Sequence, residues 1–282
     1  MDKLGKAVFI AGVALWGLFV AVLLTYLFFP YQKAFKVALQ NVAADGRMTI
    51  ALEGVNTKAL GIEASGLLLR PDANTGQAAP FRLSKVAISW NPLSLMQGKL
   101  SIHSKASVYD GTLWCTIEGP PLAGLSNPNI LLRVKGVNIG ECPEGSLPWF
   151  KGVSGILDGV IRKEMIVASL DRQVGSFRFS LKDGELRDLR LKNLPRLIIP
   201  YKGIVIEGRI DGTRLDVKRI ALTSDVVSLI GSGVVETGEF EQNIDIKLSY
   251  TALSKASPLK GRGEISISGN QAAPRVTAKR IE

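Results

Sequence analysis

The chain has 282 residues, 46% of them hydrophobic, and carries 35 Lys and Arg against 25 Asp and Glu, for a net charge of +10. Its length supports one large folded domain or two small ones. One histidine and two cysteines supply too few groups for a zinc site or a Ser-His-Asp relay.

Residues 7–29 (AVFIAGVALWGLFVAVLLTYLFF) contain no charged side chain. At 1.5 Å per residue they make about 35 Å of helix, enough to cross a hydrocarbon core of roughly 30 Å. A secretory leader has a shorter apolar run and a small-x-small cleavage site. Here the run ends in the large residues Leu27, Phe28, Phe29, Pro30 and Tyr31, so an uncleaved anchor is expected. Lys3 and Lys6 precede it, which favours a cytoplasmic tail at 1–6 and export of the remainder of the chain. The first 29 residues contribute +1 (Lys3 and Lys6 against Asp2), leaving +9 for the exported part. Those charges suit anionic headgroups or simple solvation. They are dispersed, and nucleic acid is not expected as a partner.

Residues 30–46 come next as an amphipathic connecting helix. Phe35, Ala38, Leu39 and Val42 recur at helical spacing, and Asp45-Gly46 ends it. From Met48 the period changes to two. The expected domain, 47–282, is mainly β, an antiparallel, hairpin-built twisted sheet forming a groove or a sandwich. Pro92–Gln97 and Pro148–Gly152 suggest short helical turns.

The clearest hairpin is KLSIHSKASVYDGTLWCTIE at 99–118. A two-residue turn at Asp110-Gly111 predicts Val108 opposite Leu113, Ala106 opposite Cys115 and Ser104 opposite Ile117. Leu100, Ile102, Val108, Leu113 and Ile117 then share one face, and Lys99, Ser101, His103 and Lys105 the other. A second turn at Asp211-Gly212 predicts Ile206 opposite Val217 and Gly208 opposite Leu215. A third, at Asp183-Gly184, aligns Phe177 and Phe179 but leaves Leu189 and Leu191 out of phase, which predicts a β-bulge near Arg187-Asp188 or a looser turn. Further strands are expected at 226–235, at 244–250 with Ile244, Ile246 and Leu248 alternating, at 264–268 and around 275–279.

Few residues offer catalytic chemistry. His103 falls on the polar face. No nucleophile elbow, phosphate loop or dinucleotide fingerprint occurs. Gly231-Ser232-Gly233 lies between valine-rich strand segments and suits a flexible strand. Glu207 and Asp216 are expected opposite each other, with Arg209 and Arg214 as neighbours, which suits a solvated edge better than an acid-base pair. Cys115 and Cys142 enclose about 27 residues; an oxidising compartment would let them pair, and two buried thiols are the alternative. No enzymatic activity, metal or cofactor is expected.

The order of segments carries a resemblance. An N-terminal span is followed by FPYQKAF at 29–35, WNPLSL at 90–95, Gly98-Lys99-Leu100, and VYDGTLWCTIEG at 108–119. Then come SFRFSLKDGELRDLRL at 176–191, residues 231–240 and GNQAAPRV at 269–276. In this order the chain resembles the type II secretion system protein N family (GspN) of the delta-proteobacterial type, and the C-terminal region of AsmA-like envelope proteins. Asp110, where a second Gly is common, and Cys115 depart from that pattern. The resemblance implies a single-pass inner-membrane protein with a periplasmic β domain and no active site, acting as an accessory component through contacts with other secretion components. The AsmA-like similarity implies instead a lipid-binding or lipid-transfer groove. Its candidate lining is Leu100, Ile102, Val108, Leu113, Ile117, Phe177, Phe179, Ile206, Val217, Ile244, Ile246 and Leu248.

Overall fold

The computed structural model describes residues 48–58, 60–71, 81–120, 128–143, 152–165, 173–189, 197–237, 242–255, 257, 259–270 and 275–281. The expected anchor at 7–29, the connecting helix at 30–46 and nearly all of the turn at Pro148–Gly152 lie outside these residues. Among the described residues, no helix is long and apolar enough to cross a membrane.

Fourteen strands form one antiparallel sheet: β1 (Met48–Lys58), β2 (Gly61–Pro71), β3 (Phe81–Trp90), β4 (Leu100–Val108), β5 (Gly111–Gly119), β6 (Asn129–Asn138) and β7 (Ile156–Met165), then β8 (Gln173–Leu189), β9 (Leu197–Asp211), β10 (Arg214–Thr223), β11 (Val227–Thr237), β12 (Gln242–Ala252), β13 (Arg262–Asn270) and β14 (Arg275–Ile281). Their spatial order is their sequence order, and β1 and β14 are the two open edges. The described residues thus form a single open sheet rather than a sandwich of two.

The short helix α1 (Pro92–Met96) forms where expected. The Asn91 side chain accepts a hydrogen bond from the Leu93 N–H at 3.1 Å, and Pro92 occupies the first turn, where no intrahelical N–H is needed. Gly98, at φ 69°, ends it.

All three Asp-Gly signals are read differently by the structure. In the first hairpin the turn residues are Tyr109 and Asp110, at φ 41° and 62°, the two positive values that a type I′ turn needs. The register is therefore Val108 to Gly111, Ala106 to Leu113 and Ser104 to Cys115, two residues from the expected one. Gly111 serves a close approach instead: a Cβ there would lie 2.5 Å from the Val137 backbone. The second hairpin turns at Gly212-Thr213, with only Gly212 at positive φ, as in a type II′ turn. It pairs Leu215 with Ile210 and Val217 with Gly208, and a register shift beyond Val217 sets Ile206 against Ile220. In both hairpins the turn moves by one residue, which shifts the register by two, so every side chain keeps its face.

The third expected hairpin does not exist. β8 runs through Asp183-Gly184 for 17 residues and pairs with β9 across it, Lys182 to Gly203 and Gly184 to Tyr201. The Ser154 carbonyl and the Tyr201 hydroxyl occupy the place of a Gly184 side chain. Asp183, at φ 50°, takes the left-handed backbone conformation within the strand. The register shift does fall between Leu186 and Leu189, around Arg187-Asp188.

One end of the strands is sealed. Ile139 in a 3-10 turn (Ile139–Glu141), Ile199 and Tyr201 of β9, Val227 and Leu259 are all buried there. Val153 bridges to Leu186. The Tyr201 hydroxyl donates to the Ser154 carbonyl, and burial pushes its pKa up to about 12. Ile199 is 1% exposed. Ile199→Ala should therefore cost about 2–5 kcal/mol through lost transfer energy and an unfilled cavity, read as a lower denaturation midpoint of the purified chain.

Candidate functional site

Register partners share a face, so the ladders define lines of side chains running across the sheet. Four such lines, counted from the sealed end, make one apolar surface. The first is Val137, Leu157, Leu181, Ile204, Leu222, Leu229, Tyr250 and Gly263. The second crosses all fourteen strands: Val55, Ala64, Val86, Ala106, Leu113, Val134, Gly159, Phe179, Ile206, Ile220, Gly231, Leu248, Ile265 and Ala278. None of these is polar. Thirteen strand steps of 4.7–4.9 Å make this line roughly 60 Å long.

The third line runs Ile62, Ile88, Ser104, Cys115, Leu132, Ile161, Phe177, Gly208, Val217, Gly233, Ile246, Ile267 and Val276. The fourth, at the open end, runs Trp90, Ile102, Ile117, Ile130, Lys163, Gly175, Ile210, Leu215, Val235, Ile244 and Gly269. Burial grades along the strands. Val137, Leu157, Leu181, Leu222 and Tyr250 of the first line are buried, whereas Ile102, Ile117, Ile130, Ile210, Leu215 and Ile244 of the fourth are half-exposed. The surface is closed at one end and accessible at the other.

All twelve residues of the candidate lining lie on this face. Ile102, Leu113, Ile117, Phe177, Phe179, Ile206, Val217, Ile244, Ile246 and Leu248 are in the lines above. Val108 packs at the sealed end opposite Gly111, and Leu100 lies beyond Ile102 opposite Gly119. Sequence reasoning missed the contributions of β6 and β7 (Ile130, Leu132, Ile161, Leu157) and the closure of the first line. The alternation of Ile130, Leu132 and Val134 carried a usable strand signal. The closure had none, because it depends on which loops meet.

Gly159, Gly208, Gly231, Gly233 and Gly263 on this face sit opposite large residues that lie over them. A Cβ on Gly159 would meet the Phe179 ring at 2.2 Å, and one on Gly208 would meet the Phe177 ring at 2.6 Å. The two rings are neighbours, with centroids 6.4 Å apart. Laid over glycine, an aromatic ring keeps the surface thin and lets the strands bend toward it.

The polar face is charged and solvated. Its partners run Lys105, Trp114, Arg133, Val160, Arg178, Glu207 and Arg219. The Lys105 ammonium lies 5.8 Å from the Trp114 ring centroid. Trp114, Arg133, Val160 and Arg178 line a shallow recess of about 870 Å³. Glu207 and Asp216 are not opposite each other: Glu207 faces Arg178 and Arg219, with a 3.7 Å ion pair to Arg178, and Asp216 faces Arg209. The turn at Gly212-Thr213 moves the register by two and sets Asp216 against Arg209; the bulge beyond Val217 then brings Arg219 opposite Glu207. His103 is exposed, as its parity requires, and its ring nitrogens lie 3.2 Å from the Ser101 and Thr116 hydroxyls. The Ser101 hydroxyl donates to Glu118 at 3.3 Å. The acid thus meets the serine rather than the histidine, which is not the order of a Ser-His-acid relay.

Cys115 and Cys142 are not joined. Cys115 lies in the apolar face within β5, where burial raises its pKa; Cys142 interacts with the Tyr109 hydroxyl. Tyr109 precedes Cys115 by six residues, roughly 15–20 Å of strand, a separation that no disulfide spans. No cluster of three or more metal-ligating side chains occurs among the described residues. No protein family, curated protein or solved structure matches the chain.

This geometry has two measurable consequences. Gly159→Val should destabilise by about 1–3 kcal/mol by lifting the Phe179 ring. Combined with Phe179→Ala it should cost less than the sum of the two single changes, measured by denaturation as a double-mutant cycle. The Asp158 carboxylate accepts from the Gly136 N–H at 2.9 Å and from Lys182 at 3.1 Å, and these donors hold its pKa below the ordinary aspartate value. A depressed folded-state pKa stabilises above the unfolded value near 3.9 and is lost as pH falls through the folded one. Denaturation midpoints measured from pH 5 downward should therefore fall less steeply for Asp158→Asn than for the native chain.

Proposed function

We propose that the chain is a lipid-holding protein whose apolar sheet face takes the acyl chains of a membrane lipid. The observation that carries this is the second line, fourteen apolar residues across fourteen strands. Each 100 Å² of that face covered by hydrocarbon contributes roughly 2.5 kcal/mol. Association costs on the order of 4–15 kcal/mol, so several hundred Å² must be covered, and a face this long supplies them. In this reading the protein is anchored by residues 7–29 in a bacterial inner membrane, with the sheet in the periplasm, and it handles lipid without catalysis. Mass spectrometry of the full chain, purified from membranes in mild detergent, should find co-purified phospholipid. Ile246→Asp, which sets a charge in the third line, should reduce that lipid several-fold. Native chain that carries no lipid and binds no labelled phospholipid overturns the reading.

A second reading is favoured by the sheet's edge. β14 is nearly all exposed, and its outer backbone groups are open to another strand. Arg275, Lys279 and Arg280 discourage indiscriminate pairing there and suit an acidic partner segment. Together with the segment order that resembles the protein N family, this supports an accessory component of the type II secretion system acting by periplasmic contacts. Crosslinking from a cysteine placed at Thr277 should recover secretion components. Recovery of none opposes this reading and leaves the lipid reading intact.

A further inference from the structure

The apolar face contains one charge that its surroundings do not explain. Lys163 stands in the fourth line, between Ile130 on β6 and Gly175 on β8, with Ile161 next along its own strand on the same face. Apart from Arg280 on the edge strand, it is the only charged residue that the four lines and their continuation onto β14 place on this face. It is half-buried, and no carboxylate in these lines shares the face with it: Arg162 and Glu164 point to the opposite side by parity. Hydrophobic alternation alone would set an apolar residue here, as at Ile102, Ile117, Ile130, Ile210 and Ile244 in the same line.

Its position along the strand matters as much as its charge. Lys163 is at the accessible end of the face, and Leu157 is six residues away at the sealed end, roughly 20 Å at 3.3 Å per residue. A long acyl chain spans such a distance. Between them lie Ile161, Gly159, Phe177 and Phe179, all uncharged. A cation at the open end and a closed apolar end describe an amphiphile's polarity: oxyanion at Lys163, hydrocarbon toward Leu157 and Leu181.

We propose that Lys163 is the headgroup anchor of this site, pairing its ammonium with the oxyanion of an anionic amphiphile whose chain lies along β6–β8. This rests on the lipid-holding reading and specifies its ligand class as an acyl chain bearing a carboxylate or phosphate. An ammonium is a point charge with three donors and accepts either group as its partner.

The test uses the full-length chain in mild detergent with four fluorescent probes: a pyrene-labelled fatty acid, its methyl ester, pyrene-labelled phosphatidylglycerol and pyrene-labelled phosphatidylcholine. Lys163→Met keeps most of the side chain's length and removes its charge; Lys163→Arg keeps the charge. Lys163→Met should lose roughly ten-fold or more in affinity for the anionic probes, the worth of a charge-assisted hydrogen bond, and bind the ester as the native chain does. Lys163→Arg should retain anionic binding, and added salt should weaken that binding in the native chain and in Lys163→Arg but not in Lys163→Met. A loss confined to the fatty acid identifies a carboxylate ligand, and one confined to phosphatidylglycerol a phosphate. The same acid-to-ester ratio in Lys163→Met and native chain overturns the anchor while leaving the lipid reading standing. A native chain that binds none of the four overturns both.

Discussion

The structure depends on one constraint, the parity that each strand of an antiparallel ladder shares with its neighbours. Every strand hydrogen-bonds its neighbours in sequence, from β1 to β14. A residue's face is therefore inherited from its partner, and that partner's face from the next. A slip of a single residue anywhere would carry isoleucines to water and arginines into the apolar surface. Where the register does shift, beside Val134, beside Val217 and between Leu186 and Leu189, apolar residues beyond the shift still meet: Val137 faces Leu157, Ile206 faces Ile220, and Leu189 pairs with Leu197. Near Gly66, at φ 61°, buried parity changes from Ala64 and Val86 to Leu67 and Leu83 in neighbouring strands together. The bulges serve the face; they do not interrupt it.

A sheet built this way resembles a repeat protein in its energetics. Each hairpin is marginal alone and gains from the strand added beside it. The apolar layer is continuous, so its burial is shared along the chain rather than concentrated in a central core. Val108, at 1% exposed, and Val227, at 0%, show that complete burial is reached at the sealed end, where strands and loops converge. At the other end the same apolar composition is left accessible. That gradient is a tertiary property with a functional consequence, since it gives the face a direction.

Glycine illustrates how one residue type carries several meanings. Asp-Gly at 110–111, 183–184 and 211–212 looks alike on paper. At Gly212 the backbone takes a positive φ in a turn. Gly111 makes room for the Val137 backbone, and Gly184 for the Ser154 carbonyl and Tyr201 hydroxyl. Steric need and conformational freedom are indistinguishable in a local window, because the atom that would collide belongs to another strand or loop. The same ambiguity hid the role of Gly159 and Gly208, whose vacancies are filled by Phe179 and Phe177.

Local alternation by itself determined that this region is β, that Leu100, Ile102, Val108, Leu113 and Ile117 share a face with one another, and that His103 lies opposite. Period-two patterning reports side-chain direction directly, and an error of two residues leaves direction unchanged. Only the tertiary structure decided that the faces of all fourteen strands join into one surface, that Glu207 and Asp216 stand apart, that Cys115 and Cys142 are separated, and that Lys163 belongs to the apolar side at its open end. These depend on which strand lies beside which and on where each turn and bulge falls. Those relations are set by contacts between residues distant in sequence, which no local period records.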